Sequence, residues 1–435
     1  MTEIKAVTGR RVWDSRGRPT VEAEVTLASG AKGRAIAPAG ASRGSREAVD
    51  KRDGGSKLRG LGVGQALDGL RERIAPALVG MSGHDLRAID QKMLALDPSP
   101  LLTSLGGNAT VAVSLAALHA TAQDRGLPLF AHIADRLGRT PTVPLPEIQI
   151  FGGGAHADRR VDVQDFMIMV PGAASFDEVM EVTSEVYFAA GDIMSRKGRM
   201  AGVADEGGWW PMFQSNEEAL EALVGAIELA GEKPGDRVVI SLDIAASEFR
   251  TPSGHYRLAL EERDLSTDEM IDLLGRWLDA YPIVSIEDPL AEDDEAGMIE
   301  FSRRFGDRVQ IVGDDYLVTD ASLVETAQKA GACNTVLVKV NQIGTVSEAV
   351  DCFHAAEKAG WGAIVSARSG ETEDVSISHL AAGLDCGQLK VGSFTRSERM
   401  AKWNECLRIQ DSDLKPAFVG GRPLRKTWWG QAKGL

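Results

Sequence analysis

The sequence predicts an α/β protein, a small α+β unit followed by a β/α barrel, in a chain of 435 residues. Three features carry that reading. Short apolar runs recur through the second half of the chain, each followed by a helical pattern. An alternating strip and an alanine-rich helical stretch precede them. A cluster of prolines separates the two regimes.

In the first unit, residues 1–138, Val21-Glu22-Ala23-Glu24-Val25-Thr26-Leu27 alternates apolar and polar, the period of a half-buried strand, and Ser29-Gly30 supplies the turn after it. Ala109 to Ala122 is rich in Ala, Leu and Val and reads as a helix. Thr140-Pro141-Thr142-Val143-Pro144-Leu145-Pro146 resists regular structure and reads as a linker. In residues 139–410 the runs Val238–Leu242, Ile283–Ile286, Val309–Val312, Thr335–Val338 and Ala363–Val365 are the near-continuous apolar strands of a buried parallel sheet. Their alternation with helices at intervals of roughly 25–45 residues suggests a barrel. An open doubly wound sheet is the competing arrangement; no G-x-G-x-x-G follows a strand. Residues 411–435 break the rhythm with Pro416, Gly420-Gly421, Pro423 and Trp428-Trp429. They read as a loosely packed tail, or as a strapped-down arm or oligomer contact, since adjacent tryptophans are seldom left wholly in water.

Bulk composition excludes several classes. Hydrophobic residues at 43% and charged residues at 26% describe an ordinary globular protein. A formal net charge of −15 disfavours nucleic acid and anionic membranes as partners, because both require a basic surface. Cys333, Cys352, Cys386 and Cys406 form no C-x-x-C pair, which points to reduced cysteines in a cytoplasmic protein. The N-terminus lacks the apolar stretch of a signal peptide, and no window approaches the ~18 apolar residues of a membrane span.

The chemistry is written at the carboxyl ends of the apolar runs. Leu242 is followed by Asp243, Ile286 by Glu287-Asp288, and Val312-Gly313 by Asp314-Asp315; Val338 leads to Lys339, Val365 to Arg368, and Leu389 to Lys390. In a β/α barrel these ends meet at one mouth, where such barrels do their chemistry. One acid after a strand is commonly a helix cap. Three on successive strands, followed by two lysines, make an all-oxygen site for a hard cation, and Mg²⁺ fits best because it keeps water or substrate positions open. A buried lysine facing such an ion has its ammonium form destabilised and can act as a general base. Divalent charge on a substrate carboxylate would make its α-hydrogen removable.

The chain also resembles the enolase family up to about residue 410. The likeness rests on Val12–Glu22, Gly153-Gly154-Ala155-His156-Ala157-Asp158, Asp205-Glu206-Gly207-Gly208, Ser285–Pro289, Val312–Asp315, Leu337–Gly344, Arg368–Asp374 and Gly392–Arg399. A lysine or histidine base with one or two Mg²⁺ ions is the established arrangement of that superfamily. The resemblance implies an enolase-type modified TIM barrel opening ββαα, an N-terminal α+β capping domain, and usually a dimer. It implies that Asp243, Glu287 and Asp314 bind the first magnesium and that Ser42 helps to ligate a second. Lys339 would be the base, with Glu206 assisting hydroxide departure. His156 would lie in a mobile glycine-rich loop near the phosphate and the leaving group. Arg368 and Ser369 would hold the phosphate, and Lys390 would neutralise the carboxylate of a small phosphorylated substrate.

Departures from the family pattern fall at the same places. S-G-A-S-T reads Ala39-Gly40-Ala41-Ser42-Arg43; S-H-R-S-G-E reads Ser366-Ala367-Arg368-Ser369-Gly370-Glu371; Q-E-F reads Gln164-Asp165-Phe166. N-G-G-A-H reads Gly152-Gly153-Gly154-Ala155-His156, and G-D-E-G-G reads Ala204-Asp205-Glu206-Gly207-Gly208. Two readings follow. In one the chain is a divergent enolase acting on 2-phosphoglycerate, with Arg43 in solvent. In the other, positive character has moved from position 367 to Arg43, and Ala367 opens room for an analogue with a larger or more anionic phosphorus group, as in the carboxyphosphonoenolpyruvate synthases of phosphonate pathways. A non-catalytic scaffold has no use for the intact acidic and lysine set. A racemase or cycloisomerase of the wider superfamily has none for Ser42, His156 and the Arg368-Ser369 pair.

Overall fold

A computed structural model describes residues 2–158 and 161–435. The chain opens with an antiparallel meander, β1 (Ile4–Trp13), β2 (Pro19–Leu27) and β3 (Lys32–Ile36), in spatial order β1-β2-β3. The alternation read in β2 puts Val21, Ala23, Val25 and Leu27 on its buried face. Helices α1 (Leu86–Leu96), α2 (Gly107–Asp124) and α3 (Leu129–Leu137) follow.

Helix α2 is buried almost all round, which explains its composition of Ala, Val, Thr and Ser. One side lies on β2 and β3, so closely that a Cβ on Gly33 would come within 2.0 Å of the Ala116 carbonyl oxygen. The other side reaches the second unit: Thr110 Oγ1 donates to the Gly344 carbonyl at 2.8 Å, and Ser114 Oγ accepts the Val346 N–H at 3.0 Å.

The second unit begins with β4 (Leu145–Gly152) and β5 (Asp165–Met169), then α4 (Phe176–Arg196). A hairpin, β6 (Met200–Val203) and β7 (Trp209–Pro211), precedes α5 (Asn216–Leu229). Next come β8 (Val239–Asp243), the ribbon β9 (Tyr256–Leu258) and β10 (Arg263–Leu265), and α6 (Thr267–Ala280). The remainder alternates: β11 (Ile283–Glu287), α7 (Glu295–Phe305), β12 (Gln310–Gly313), α8 (Ala321–Ala330), β13 (Thr335–Val338), α9 (Val346–Lys358), β14 (Gly362–Ser366), α10 (Ser376–Leu384), β15 (Gly387–Ser393) and α11 (Ser397–Gln410).

The strands β4-β5-β8-β11-β12-β13-β14-β15 form a cylinder closed by β15 pairing with β4, so the open doubly wound alternative is excluded. The order β4, β5, α4, α5 is the ββαα opening. β5 runs antiparallel to both of its neighbours, β4 and β8. Reversal brings the first residue of β5 to the end of the barrel where the other strands finish, and Asp165 pairs with Asp243 across β5 and β8.

The proline-rich segment is only in part the irregular linker expected, because β4 already includes Leu145 and Pro146. Proline is tolerated there because it stands at the start of the strand, where a missing N–H costs least. Residues 411–435 turn back under the barrel and end in α12 (Trp428–Lys433). Leu424 and Trp429 join Leu145, Met169, Val239 and Val284 in an apolar floor. Both indoles are satisfied by backbone carbonyls, Trp428 Nε1 to Ile283 and Trp429 Nε1 to Asp236, each at 2.7 Å. The four cysteines are all free, and among the described residues no helix is long and apolar enough to cross a membrane.

Because Trp429 plugs the floor, Trp429→Ala is expected to destabilise the protein by about 3–5 kcal/mol, the usual cost of emptying a buried aromatic site. Guanidinium unfolding would read this as a lowered midpoint at an unchanged slope; an unaltered midpoint would show that the strap adds nothing.

Candidate functional site

The strand ends named by the sequence do converge. Asp243 closes β8, Glu287 closes β11, Asp314 follows β12, Lys339 follows β13, and Lys390 lies in β15. All five are buried. Lys390 Nζ bridges Asp243 Oδ2 at 2.8 Å and Glu287 Oε2 at 2.7 Å, with Asp165 Oδ2 at 3.8 Å. Lys339 Nζ donates to Asp314 Oδ2. The two ammonium groups thus neutralise carboxylates that could not otherwise stay charged in a dry interior.

The electrostatics follow from that packing. Burial, then Asp243, push the Glu287 carboxyl well above its usual range. Burial works against the charged form of Lys390, but Asp243, Glu287 and Asp165 outweigh it and hold the ammonium strongly. Lys339 behaves the same way: burial favours the free amine as expected, yet Asp314 overrides it and raises the pKa. The expectation of a destabilised ammonium concerns a lysine facing an ion; with Asp314 as its strongest charged partner, the ammonium is favoured. A cation sharing Asp314 would weaken that partnership and leave burial and Arg368 to favour the neutral base.

The donor set fits a hard divalent cation. Among the described residues, Glu287 Oε1, Asp165 Oδ2 and Gln164 Oε1 are buried oxygens without a hydrogen-bond partner, and such orphans are costly unless something takes them. Gln164 Nε2 donates to Asp243 Oδ2 at 3.0 Å, which steadies that carboxylate. Asp243, Glu287 and Asp314 offer oxygen donors alone, the kind of set that suits a hard cation.

Across the mouth, His156 Nδ1 stands 3.1 Å from Asp165 Oδ1 and its Nε2 lies 3.9 Å from Glu206 Oε1. Burial would lower the His156 pKa, but Asp165 and then Glu206 overcome it and push it up to about 9. Asp165 answers in the opposite sense: burial would raise it, while the His156 charge and hydrogen bond bring it down to about 2.

Arg368 is wholly enclosed. Its Nη1 donates to Glu47 Oε2 at 2.9 Å and to Asn341 Oδ1 at 3.2 Å; its Nη2 donates to Glu47 Oε1 at 3.2 Å and to the Ser42 carbonyl at 3.1 Å. Ser369 Oγ accepts from Arg16 Nη1 at 3.1 Å. Gly40, Ser42, Ala367, Arg368 and Ser369 line the cavity with His156, Asp165, Glu206, Asp243, Lys339 and Lys390. That cavity measures only about 20 Å³, room for roughly one water. Arg43 is exposed and is not among the lining residues.

Several contributors escape sequence reasoning. Glu47 anchors Arg368 and also accepts from Gln342 Nε2 at 3.3 Å, while the same nitrogen donates to Asp314 Oδ1 at 2.8 Å. Asp288 receives the N–H groups of Asp314 and Asp315 at 2.9 and 2.8 Å and is raised by burial, then by Asp314, to about 8. Gln149 donates to Asp165. Only Asp288 carried a signal, as the second acid after Glu287.

Protonated His156 should contribute stability fully present below its unfolded pKa near 6.5. That contribution is lost as pH rises through about 9. The stability difference between the native protein and His156→Gln, measured by urea unfolding, should therefore shrink between pH 6.5 and 9.5. A constant difference would place the histidine in its neutral form.

With this geometry in view, comparison with known proteins is direct. Residues 4–133 match a family model described as the enolase N-terminal domain, and residues 140–427 match one described as the enolase C-terminal TIM barrel domain. The chain is 44% identical over 412 residues to Enolase 1 of Desulfitobacterium hafniense (strain Y51), an alignment covering 94% of each protein.

Proposed function

The chain belongs to the enolase family, and from that premise we propose that it is a magnesium-dependent hydro-lyase converting 2-phosphoglycerate to phosphoenolpyruvate and water. The observation that carries this reading is the meeting of Asp243, Glu287 and Asp314 with Lys339 and Lys390 at one barrel mouth, where, among the described residues, buried carboxylate oxygens remain without partners. Asp243, Glu287 and Asp314 would hold the first ion, and Ser42 would help to hold a second. When bound, the ions supply positive charge for the substrate carboxylate as its α-carbon loses a proton.

The chain's own groups divide the remaining work. Lys390 holds the substrate carboxylate. Arg368, its guanidinium fixed by Glu47, supplies positive charge on the phosphate side, with Ser369 beside it. Lys339 Nζ takes the α-proton, and Glu206 returns a proton to the departing hydroxide, so that water leaves and the double bond forms. His156 and Asp165 keep that side of the cavity polar and charge-balanced. Closure of the Gly40–Ser42 loop excludes water and brings Ser42 to the site. Residues 1–138 are read as the cap, 139–410 as the barrel and 411–435 as a strap beneath it; the family-model limits favour the first boundary, whereas the second model runs on to residue 427.

A second substrate reading is favoured by one feature, the methyl group of Ala367 in the cavity wall. Its small volume leaves room for an analogue enlarged at phosphorus. Arg43, being exposed, would serve that reading only by moving with its loop.

Lys339→Met is expected to lower turnover of 2-phosphoglycerate by roughly 10²–10⁴-fold, the range for removing a general base. Chelation should abolish activity and Mg²⁺ should restore it; activity surviving either treatment would overturn the mechanism. To separate the substrates, the native chain is compared with the Ala367→His/Arg43→Thr double variant. Full turnover of 2-phosphoglycerate by the native chain, with no gain in the variant, assigns the glycolytic reaction. A weak native rate that the variant raises assigns the enlarged analogue.

A further inference from the structure

Below the site, the barrel's interior layer is split in two. On one side it is apolar, with Val312, Leu337 and Ile364 in mutual contact. On the other, β4, β8, β11 and β15 contribute Glu147, Ser241, Ser285 and Gln388, all at most 1% exposed. Glu147 Oε2 accepts the Ser241 hydroxyl at 3.0 Å, and Oε1 accepts Gln388 Nε2 at 2.7 Å. Gln388 is tied in turn to Gln310 through both amides, at 2.7 and 3.1 Å. Ser285 is the register partner of Ser241, and its hydroxyl has no partner of its own.

The placement is specific. Ser241 stands two residues before Asp243 and Gln388 two before Lys390, so each pair shares a strand face. Glu147 is itself the register partner of Lys390. The charged groups acting on it are Lys390 from β15 and Asp243 from β8. A buried carboxyl is expensive where an apolar side chain would serve, and the opposite half of this layer shows that apolar side chains do serve.

We propose that Glu147 is a positioning residue for the cation site, tying together the strands that carry Asp243 and Lys390 and adding, when ionised, one negative charge beneath them. This rests on the reading that Asp243, Glu287 and Asp314 hold magnesium. Burial, opposed by Lys390, pushes the Glu147 carboxyl up to about 7, so its charge appears across the neutral range. The sign is fixed: below that value the carboxyl is neutral, above it the extra charge attracts a cation, and affinity climbs with pH.

The test is calorimetric titration of Mg²⁺ into the substrate-free protein and into Glu147→Gln, at pH 6 and pH 8. Glutamine keeps the size and an acceptor for Ser241 but removes the charge. The native protein should gain roughly tenfold more affinity than the variant between the two pH values, a modest share of what one unit charge supplies several ångströms away. An equal loss at both pH values, the signature of a structural role alone, overturns the inference. Ser241→Ala provides a second reading, decisive also if the glutamine variant fails to fold. With one hydrogen bond to the carboxylate gone, the affinity step should move to higher pH, and a step that stays in place overturns the inference. If none of the proteins binds Mg²⁺ at either pH, the cation reading of the site falls and this inference falls with it.

Discussion

Everything at the mouth of this barrel depends on how buried carboxylates are kept charged. Asp165, Asp243, Glu287 and Asp314 share a closed space with Asp288 and Asp315 beside them. Taking one ion from water into a protein interior costs several kcal/mol even after relaxation. The chain offsets that cost with cations of its own: Lys390 between Asp243 and Glu287, Lys339 on Asp314, and His156 on Asp165. The carboxyls less well served, Glu287, Asp288 and Asp315, are driven toward protonation. Among the described residues, this balance leaves Glu287 Oε1 and Asp165 Oδ2 without a hydrogen-bond partner.

The N-terminal unit is part of that arrangement. Its loop carries Glu47, the two-pronged partner of Arg368, and the Glu47 carboxylate also meets Gln342, which reaches Asp314. Helix α2, through Thr110 and Ser114, fixes the backbone at Gly344 and Val346, just beyond Lys339. Arg368, Asp314 and the segment after Lys339 are therefore all referenced to the same cap. Glycine at position 40 is what lets the loop pack this closely on the arginine: a Cβ there would lie 2.0 Å from Arg368 Nη2.

What the sequence disclosed follows the same physics. Strands β8 and β11–β14 were readable because parallel strands buried on both faces must be apolar along nearly their whole length. β4 and β5 were hidden because their interior positions include Glu147, Gln149 and Asp165, polar residues that do not look like a buried strand, and because Pro146 interrupts the start of β4. The acids at the strand ends were legible because topology alone sends every parallel strand end to one mouth. Asp165 reaches that mouth from a reversed strand, so only the resemblance to a known pattern could flag it. Glu47 and Gln342 act from loops far apart in sequence, and no spacing rule joins them. The two terminal tryptophans were ambiguous for a related reason: their burial depends on a floor built from residues near 145, 169, 239 and 284.

On the proposed reading, Asp314 is also where a base would be built from a residue whose pKa is raised. Asp314 gives Lys339 its proton affinity and Glu287 adds to it, while burial, Arg368 and Lys390 pull the other way. Asp314 is the carboxylate that a divalent ion would share, and sharing it would weaken the largest pull toward the ammonium. Burial, which costs the fold stability wherever a charge lacks a counter-charge, would then favour the free amine, with Arg368 and Lys390 and against Glu287.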